Sequence, residues 1–201
     1  MQHFSLPMTK FGITGRSVDD VVTRIQLSMW VPEPEAGLLE VVRRQLDPVQ
    51  SSLIPPHVTL CREDELALVE QDELISRFTS AHAVSITLRF GRAEPFHEHG
   101  ILLPCIAGEQ DFRALREHLL GTRAIRREAP HITLAHPRNP KGADNSLASA
   151  HALPETILIT FTSVKLIEQV GIAPWSVLRA IELHRARPNN SFKPKPLRGP
   201  A

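Results

Sequence analysis

The stretch PHVTL, residues 56–60, returns almost unchanged as PHITL, residues 130–134. Each copy is short, starts at a proline and is rich in β-branched and aliphatic residues, a pattern that predicts a β-strand. Side chains two residues apart in a strand share a face. Each His-x-Thr therefore presents an imidazole and a hydroxyl together, while the aliphatic residues face the opposite way. One such pair is common by chance, but two in the same frame indicate a shared role.

A shift of 74 residues relates longer parts of the chain as well. Under this shift, equivalent positions are Leu27 and Ile101, Met29 and Leu103, His57 and His131, Leu38 and Phe112, Val41 and Leu115, Leu46 and Leu120, residues 84–90 and 158–164, and residues 101–106 and 175–180. We interpret the chain as a tandem duplication of a strand–helix–motif-strand unit followed by a hairpin. The repeat predicts an α+β fold: a single bilobal domain of two pseudo-symmetric halves, each a small antiparallel sheet backed by helices, with a central cleft.

Periodicity places the remaining elements. Alternation predicts strands at 24–31, 84–90, 101–106, 156–169 and 175–183, with a hairpin turn at 96–100. Helical spacing predicts one helix from Glu35 with Leu38, Val41, Val42 and Leu46 buried, a second at 66–80 with Leu68, Val69, Ile75 and Phe78 buried, and a third at 109–120 that ends at Gly121. A short helix capped by Asp144 or Asn145 is expected within the polar stretch 136–155.

The domain boundaries follow from composition. Residues 1–23 are expected to form an N-terminal arm, residues 24–183 the domain, and residues 184–201 a disordered basic tail rich in proline. The tail carries five basic residues and no acid, which leaves 18 basic and 22 acidic residues in 1–183, a net charge of −4. A mildly acidic domain is a poor non-specific binder of nucleic acid, so an RNA substrate would be engaged at its end.

Other function classes are disfavoured. No run of about 18 apolar residues and no apolar leader occurs, so we expect a cytoplasmic protein with no membrane contact. Two cysteines, Cys61 and Cys105, cannot build a disulfide framework or a four-ligand zinc site. Aromatic residues are sparse and tyrosine is absent, which disfavours a stacking platform for single strands.

The paired motifs resemble those of the two-histidine (2H) phosphoesterases, a superfamily that includes 2′-5′ RNA ligase-like proteins and RNA 2′,3′-cyclic phosphodiesterases. The resemblance covers roughly residues 24–183. It implies a bilobal fold and a metal-independent phosphodiesterase that hydrolyses 2′,3′-cyclic phosphate ends of RNA or nucleotides, with reversible 2′-5′ ligation as a second activity. No cofactor is implied, and the expected partner is the substrate itself, bound by a monomer.

The chemistry of the motifs supports the same interpretation. At neutral pH one imidazole can act as a base while another acts as an acid, which opening a cyclic phosphodiester requires. His57 and His131 are the candidate catalytic residues, and the hydroxyls of Thr59 and Thr133 are candidate donors to phosphate oxygens. The sequence does not distinguish which histidine is the acid. Two other classes stay open: a non-catalytic module that binds RNA ends or nucleotides, and an interaction protein acting through the tail.

Weaker candidates lie elsewhere. Arg138 and Lys141 could meet substrate phosphates from the loop after the second motif, or could be solvated. Cys61 shares the predicted face of the first motif and could line the same cleft, although packing is the commoner role. His97 and His99 form a His-x-His in a predicted turn without a third ligand, so no metal site is predicted.

Overall fold

The fold is described by a computed structural model that covers residues 21–81, 84–123 and 125–184. Its strands are β1 Thr23–Trp30, β2 His57–Cys61, β3 Ile86–Phe90, β4 Glu94–Phe96, β5 Gly100–Ala107, β6 His131–Ala135, β7 Ile157–Phe161, β8 Ser163–Val170 and β9 Ser176–Glu182. Its helices are α1 Glu35–Leu46, α2 Pro48–Leu53, α3 Glu63–Leu66, α4 Gln71–Thr79, α5 Glu109–Leu120 and α6 Leu147–Ala150. The predicted arm and tail fall almost wholly outside the described residues.

The strands form two antiparallel sheets backed by helices, which confirms the predicted α+β class. The first sheet has the order β2-β1-β8-β9. In the second, β6 borders one side of β5, while β4 and β3 border its other side and β7 lies beyond β3. One continuous apolar core joins both sheets and the helices between them. Each motif strand is thereby an edge strand of its own sheet.

The predicted repeat is most faithful in the strand pairs that carry the motifs. In the first sheet Trp30 lies opposite His57 and Ser28 opposite Thr59. In the second sheet Pro104 lies opposite His131 and Leu102 opposite Thr133. Adding 74 to each paired residue number of β1 and β2 gives the paired residues of β5 and β6. The irregularity in pairing also lies at the equivalent place in both strand pairs. The backbone geometry that presents each His-x-Thr is therefore duplicated.

The predicted equivalence of the later strands is wrong. Residues 86–90 and 157–161 lie side by side as β3 and β7 of the second sheet, with Leu88 opposite Ile159. The predicted strand 156–169 is two strands that belong to different sheets, because the chain leaves the second sheet after Phe161 and enters the first at Ser163. The first sheet is thus completed by the last hairpin of the chain, β8–β9.

The predicted buried face of α1 is correct for Val42 and Leu46 and wrong for Leu38 and Val41. Leu38 and Val41 are 42% and 57% exposed, and the helix instead buries Leu39, Val42, Arg43 and Leu46. These correspond to the buried Phe112, Leu115, Arg116 and Leu119 of α5 under a shift of 73, one residue short of the strand repeat. Two apolar stripes about 100° apart run along α1. The stripe that packs into the core is the one that includes the aliphatic stem of Arg43.

Two shorter helices differ from the prediction. The single helix expected at 66–80 is interrupted after Leu66, so that Leu68 is exposed while Val69 and Ile75 are half-buried and only Phe78 is fully buried. The helix in the 136–155 stretch is capped by Ser146, whose hydroxyl accepts a bond from the backbone N–H of Ser149, and not by Asp144 or Asn145. Among the described residues, no helix has the length and apolar character needed to cross a membrane.

Candidate active site

The two motif strands meet across the centre of the molecule. Cα atoms of β2 and β6 come within 8 Å of each other, and each is also approached by the helix of the opposite half, α5 on β2 and α1 on β6. The aliphatic residues of both motifs are fully buried, whereas His57, Thr59, His131 and Thr133 are half-buried. The predicted alternation is therefore present, with the polar side chains on the accessible faces.

Both imidazoles are held by the same backbone interaction. Nδ1 of His57 lies 2.8 Å from the carbonyl oxygen of Pro55, and Nδ1 of His131 lies 3.1 Å from that of Ala129. A carbonyl oxygen can only accept, so Nδ1 carries the proton in each ring. In the neutral form Nε2 is then a free base aimed away from its own strand. The duplicated register thus holds both imidazoles through the same Nδ1 contact.

The surroundings of His57 favour its neutral form. Burial lowers the pKa of His57 to about 4, a shift that the hydrogen bond to Pro55 opposes and that the charges of Arg43, His131 and His136 reinforce. The contribution of His131 indicates that the two motif imidazoles lie within electrostatic reach of each other. At neutral pH the ring is therefore unprotonated, and its Nε2 is free to accept a proton.

The residues beside the motif histidines differ between the two walls of the cleft, one formed by the first sheet at His57 and the other by the second sheet at His131. On β1, Trp30 lies next to His57, and the ammonium of Lys165 on β8 sits 4.1 Å from the centre of its indole ring. On the opposite wall the ring of Phe96 lies 5.8 Å from that of His131. One wall therefore carries a cation over an aromatic ring, and the other an aromatic ring alone.

The two predicted substrate-binding residues, Arg138 and Lys141, both lie in the loop after β6 and differ in their contacts. Arg138 contacts His136 through both its backbone and its guanidinium, and the charge of His136 acts on His57. Lys141 is exposed, and no contact within the described ranges connects it to either motif histidine. Next to it, Gly142 lies against the carboxyl end of α1.

Cys61 does not line the cleft. The register shift in β1–β2 pairs it with Leu27 on the core side, where it is fully buried. Burial raises the pKa of its thiol to about 12, so it stays protonated and unreactive at neutral pH. The strict alternation that placed it with His57 and Thr59 is broken by this bulge.

The His-x-His of the turn is not a cluster of ligands. His97 adopts a positive φ of 45° and stacks edge-on against Phe96, with ring centres 4.4 Å apart. His99 points elsewhere, with Nε2 2.8 Å from the carbonyl oxygen of Asn139. Across the parts of the chain that the structure describes, no three His, Cys, Asp or Glu side chains converge on a common point.

Several residues near the motif histidines were not predicted from the sequence. Trp30 could have been found, because it lies on the polar side of the correctly predicted β1. Lys165, His136 and Asp47 could not, because they reach the site through pairings with distant parts of the chain: Lys165 with Ser28, and Asp47 with the backbone of His136.

Two antiparallel sheets whose facing edge strands each carry His-x-Thr define the two-histidine phosphoesterase class. The chain belongs to the 2′-5′ RNA ligase superfamily, which it matches over residues 31–172. A solved structure of TT0787 from Thermus thermophilus superposes with a TM-score of 0.52 at 18% identity, covering 82% of this chain and all of that one. E. coli LigT in complex with phosphate gives a TM-score of 0.48 at 15% identity, covering 83% of this chain and 100% of its own. No curated protein matches the chain significantly.

Proposed function

We propose that this protein is a phosphodiesterase that opens 2′,3′-cyclic phosphates at RNA ends or on nucleotides, with His57 and His131 as base and acid. The observation that carries the proposal is the duplicated presentation of the two imidazoles, each with Nδ1 bonded to the carbonyl oxygen two residues before it. Opening a cyclic phosphodiester needs one group that accepts a proton and one that donates a proton, on opposite sides of phosphorus. Two facing edge strands of matching register supply such a pair.

The low pKa of His57 supports its assignment as the base. Its free Nε2 takes a proton from water as the water oxygen forms a bond to phosphorus. Protonated His131 gives the proton on its Nε2 to the ribose oxygen as the bond between that oxygen and phosphorus breaks. The product is a ribose phosphomonoester with a free neighbouring hydroxyl, and the two histidines have exchanged protonation states.

The threonine hydroxyls are assigned to the phosphate oxygens that do not react. Thr59 and Thr133 follow their histidines on the same strand face, about 6.6 Å along the backbone. Donors fixed at this position stabilise the negative charge that accumulates on those oxygens. The reverse reaction, in which a 5′-hydroxyl attacks the cyclic phosphate, uses the same groups and gives a 2′-5′ linkage.

The test is a product assay on an oligonucleotide that ends in a 2′,3′-cyclic phosphate, with the 2′- and 3′-phosphate products separated. His57→Ala and His131→Ala should each lower kcat by about 10²–10⁴, and the double variant should be little worse than the poorer single one. Thr59→Val and Thr133→Val should each lower it by about 10–10³. Thr160→Val is the matched control, because this exposed threonine bonds Thr87 on the outer side of the second sheet.

Two outcomes would contradict the proposal. Near-normal turnover in either histidine variant would mean that the motif histidines are structural. Tight binding of the oligonucleotide by the unaltered protein with no turnover would instead favour a module that only binds RNA ends or nucleotides.

A further inference from the structure

Arg116 of α5, a buried arginine, contacts the backbone of both segments that carry the motifs. The residue is 2% exposed. Its Nη1 donates to the carbonyl oxygen of Leu60 over 2.8 Å, and Leu60 directly follows Thr59 in the first motif strand. Its Nη2 lies 3.5 Å from the carbonyl oxygen of Arg126, in the segment that leads into β6 and His131. One guanidinium therefore connects the backbone of the first motif to the segment that precedes the second.

The carbonyl oxygen that Arg116 binds belongs to an irregular position of the first motif strand. The pairing of β1 with β2 shifts between Thr59 and Cys61, so Leu60 has no opposite residue on β1. An extra residue of this kind bends its strand and changes the direction of neighbouring side chains. The contact of Arg116 with Leu60 is thus made at the residue that decides where the Thr59 hydroxyl points.

Stability alone does not explain an arginine at this position. Nη2 of Arg116 also donates to the carboxylate of Glu65, which is 9% exposed, while the buried Nε has no hydrogen-bond partner among the described residues. Removing such a pair of charges from water costs about as much as their attraction returns, and a well-packed apolar replacement is often as stable. What an apolar side chain cannot supply is the fixed fork of donors that holds two backbone oxygens at once.

Exposed ion pairs join the same two segments but hold them less firmly. Arg62, directly after β2, lies 3.3 Å from Glu128, and Arg126 lies 2.9 Å from Asp64 in α3. These four side chains are 30–51% exposed, so solvent screens both pairs. The buried contacts of Arg116 are therefore the ones that fix the geometry.

The equivalent arginine of the first half has different contacts and provides a matched control. Arg43 is 1% exposed, and its Nη2 lies 2.9 Å from the carbonyl oxygen of Ile54 and 3.4 Å from that of Gln50. Both carbonyls precede β2 in the half to which Arg43 itself belongs. The two arginines are equally buried, but the contact at the irregular position of β2 is made by Arg116.

We propose that Arg116 is a positioning residue of the active site, which directs the Thr59 hydroxyl toward the phosphate between the two motif histidines by holding the carbonyl oxygen of Leu60. The inference rests on the proposed function and adds a residue outside the motifs to it. Arg116 touches neither substrate nor reacting atoms in this scheme. Its effect on turnover comes through Thr59, since a misplacement of about 1 Å can cost on the order of 10²-fold in rate.

Arg116→Lys tests the proposal, because it keeps the charge and loses the fork of donors. On an oligonucleotide that ends in a 2′,3′-cyclic phosphate, kcat should fall by about 10–100-fold while KM stays within about threefold. The assay is run at a temperature at which circular dichroism shows each variant to be folded. If Arg116→Lys is unfolded, Arg116→Gln combined with Glu65→Gln, which removes both buried charges, takes its place.

A double-mutant cycle separates positioning from a general loss of stability. Thr59→Val should cost at least about fivefold less in the Arg116→Lys background than in the unaltered protein, because the hydroxyl is already misplaced. Thr133→Val should cost the same factor in both backgrounds. In the control background Arg43→Lys, Thr59→Val should cost the same factor as in the unaltered protein. Normal kcat in Arg116→Lys, or the same coupling to both threonines, would overturn the proposal.

An NMR measurement makes the test independent of turnover. The three-bond couplings of the Thr59 side chain should report one χ1 rotamer in the unaltered protein and an average of rotamers in Arg116→Lys, with those of Thr133 unchanged. Unchanged Thr59 couplings in Arg116→Lys would refute the positioning role. If the unaltered protein turns over no cyclic phosphate, the proposed activity fails while this comparison still decides whether Arg116 orients Thr59.

Discussion

Acidification is expected to destabilise the folded protein, and His57 is the side chain with the large shift. Its pKa is lowered from 6.5 to about 4 in the folded state, so between these values the unfolded chain binds a proton that the folded chain does not. Stability that is present above pH 6.5 is therefore lost as the pH falls toward 4. A shift of this size corresponds to about 3 kcal/mol at most, and we expect roughly 1–2 kcal/mol because the half-buried ring is partly screened by solvent.

The comparison that isolates this effect is between the unaltered protein and His57→Gln. Carboxylates contribute a pH dependence to both proteins, so the difference between their free energies of unfolding reports His57 alone. Urea denaturation at pH 7, 6, 5 and 4.5 should show the unaltered protein losing roughly 1–2 kcal/mol more than His57→Gln over this range. A titration of the His57 ring followed by NMR should give a midpoint near pH 4. A midpoint above pH 6, with parallel stability curves for the two proteins, would refute the assignment of His57 as a neutral base.

Three further results are expected. Arg116→Ala should lower the free energy of unfolding, measured by urea denaturation, by about 3–5 kcal/mol, because it leaves the buried carboxylate of Glu65 and the carbonyl oxygen of Leu60 without their partner. Arg113→Ala, on the exposed face of α5, should lower it by under about 1 kcal/mol, and equal losses in the two variants would contradict this prediction. Chelator treatment should leave phosphodiesterase activity intact, and a loss that zinc or manganese restores would contradict the mechanism. Deletion of residues 185–201 should change neither the melting temperature nor the turnover of a mononucleotide cyclic phosphate, and a loss of fold would show that the domain extends further.

Local patterns in the sequence were enough to predict the motif strands and their polar faces. A leading proline, β-branched residues and alternation of polar and apolar residues are all visible within five residues. The second copy of the motif repeats the same pattern and so supports the same prediction. The same patterns predicted α5 and its glycine cap correctly, because Gly121 adopts the left-handed conformation that the cap requires. The positions of the candidate site residues on these strands could therefore be predicted from the sequence. Their catalytic roles are still predictions.

What the sequence could not show depends on contacts between distant residues. The choice between two apolar stripes on α1 is made by Arg43, whose guanidinium donates to the carbonyl oxygen of Ile54, 11 residues away. The inward turn of Cys61 depends on a bulge against β1. Asp47 meets His136 and Asn139 across separations of 89 and 92 residues. Local propensity carries no information about such pairings, and the loop that holds Arg138 is organised by them.

The first sheet combines strands from the beginning and the end of the chain, and this has a consequence for synthesis on the ribosome. β1 and β2, which carry His57, emerge early, but the sheet that contains them is completed only by β8 and β9, whose last residue is Glu182. At about 5–20 residues per second, the first motif strand waits about 6–24 s for those partners. Until then β1 exposes an unpaired edge to other chains. The first half of the chain should therefore not fold as an independent unit, even though the sequence repeats.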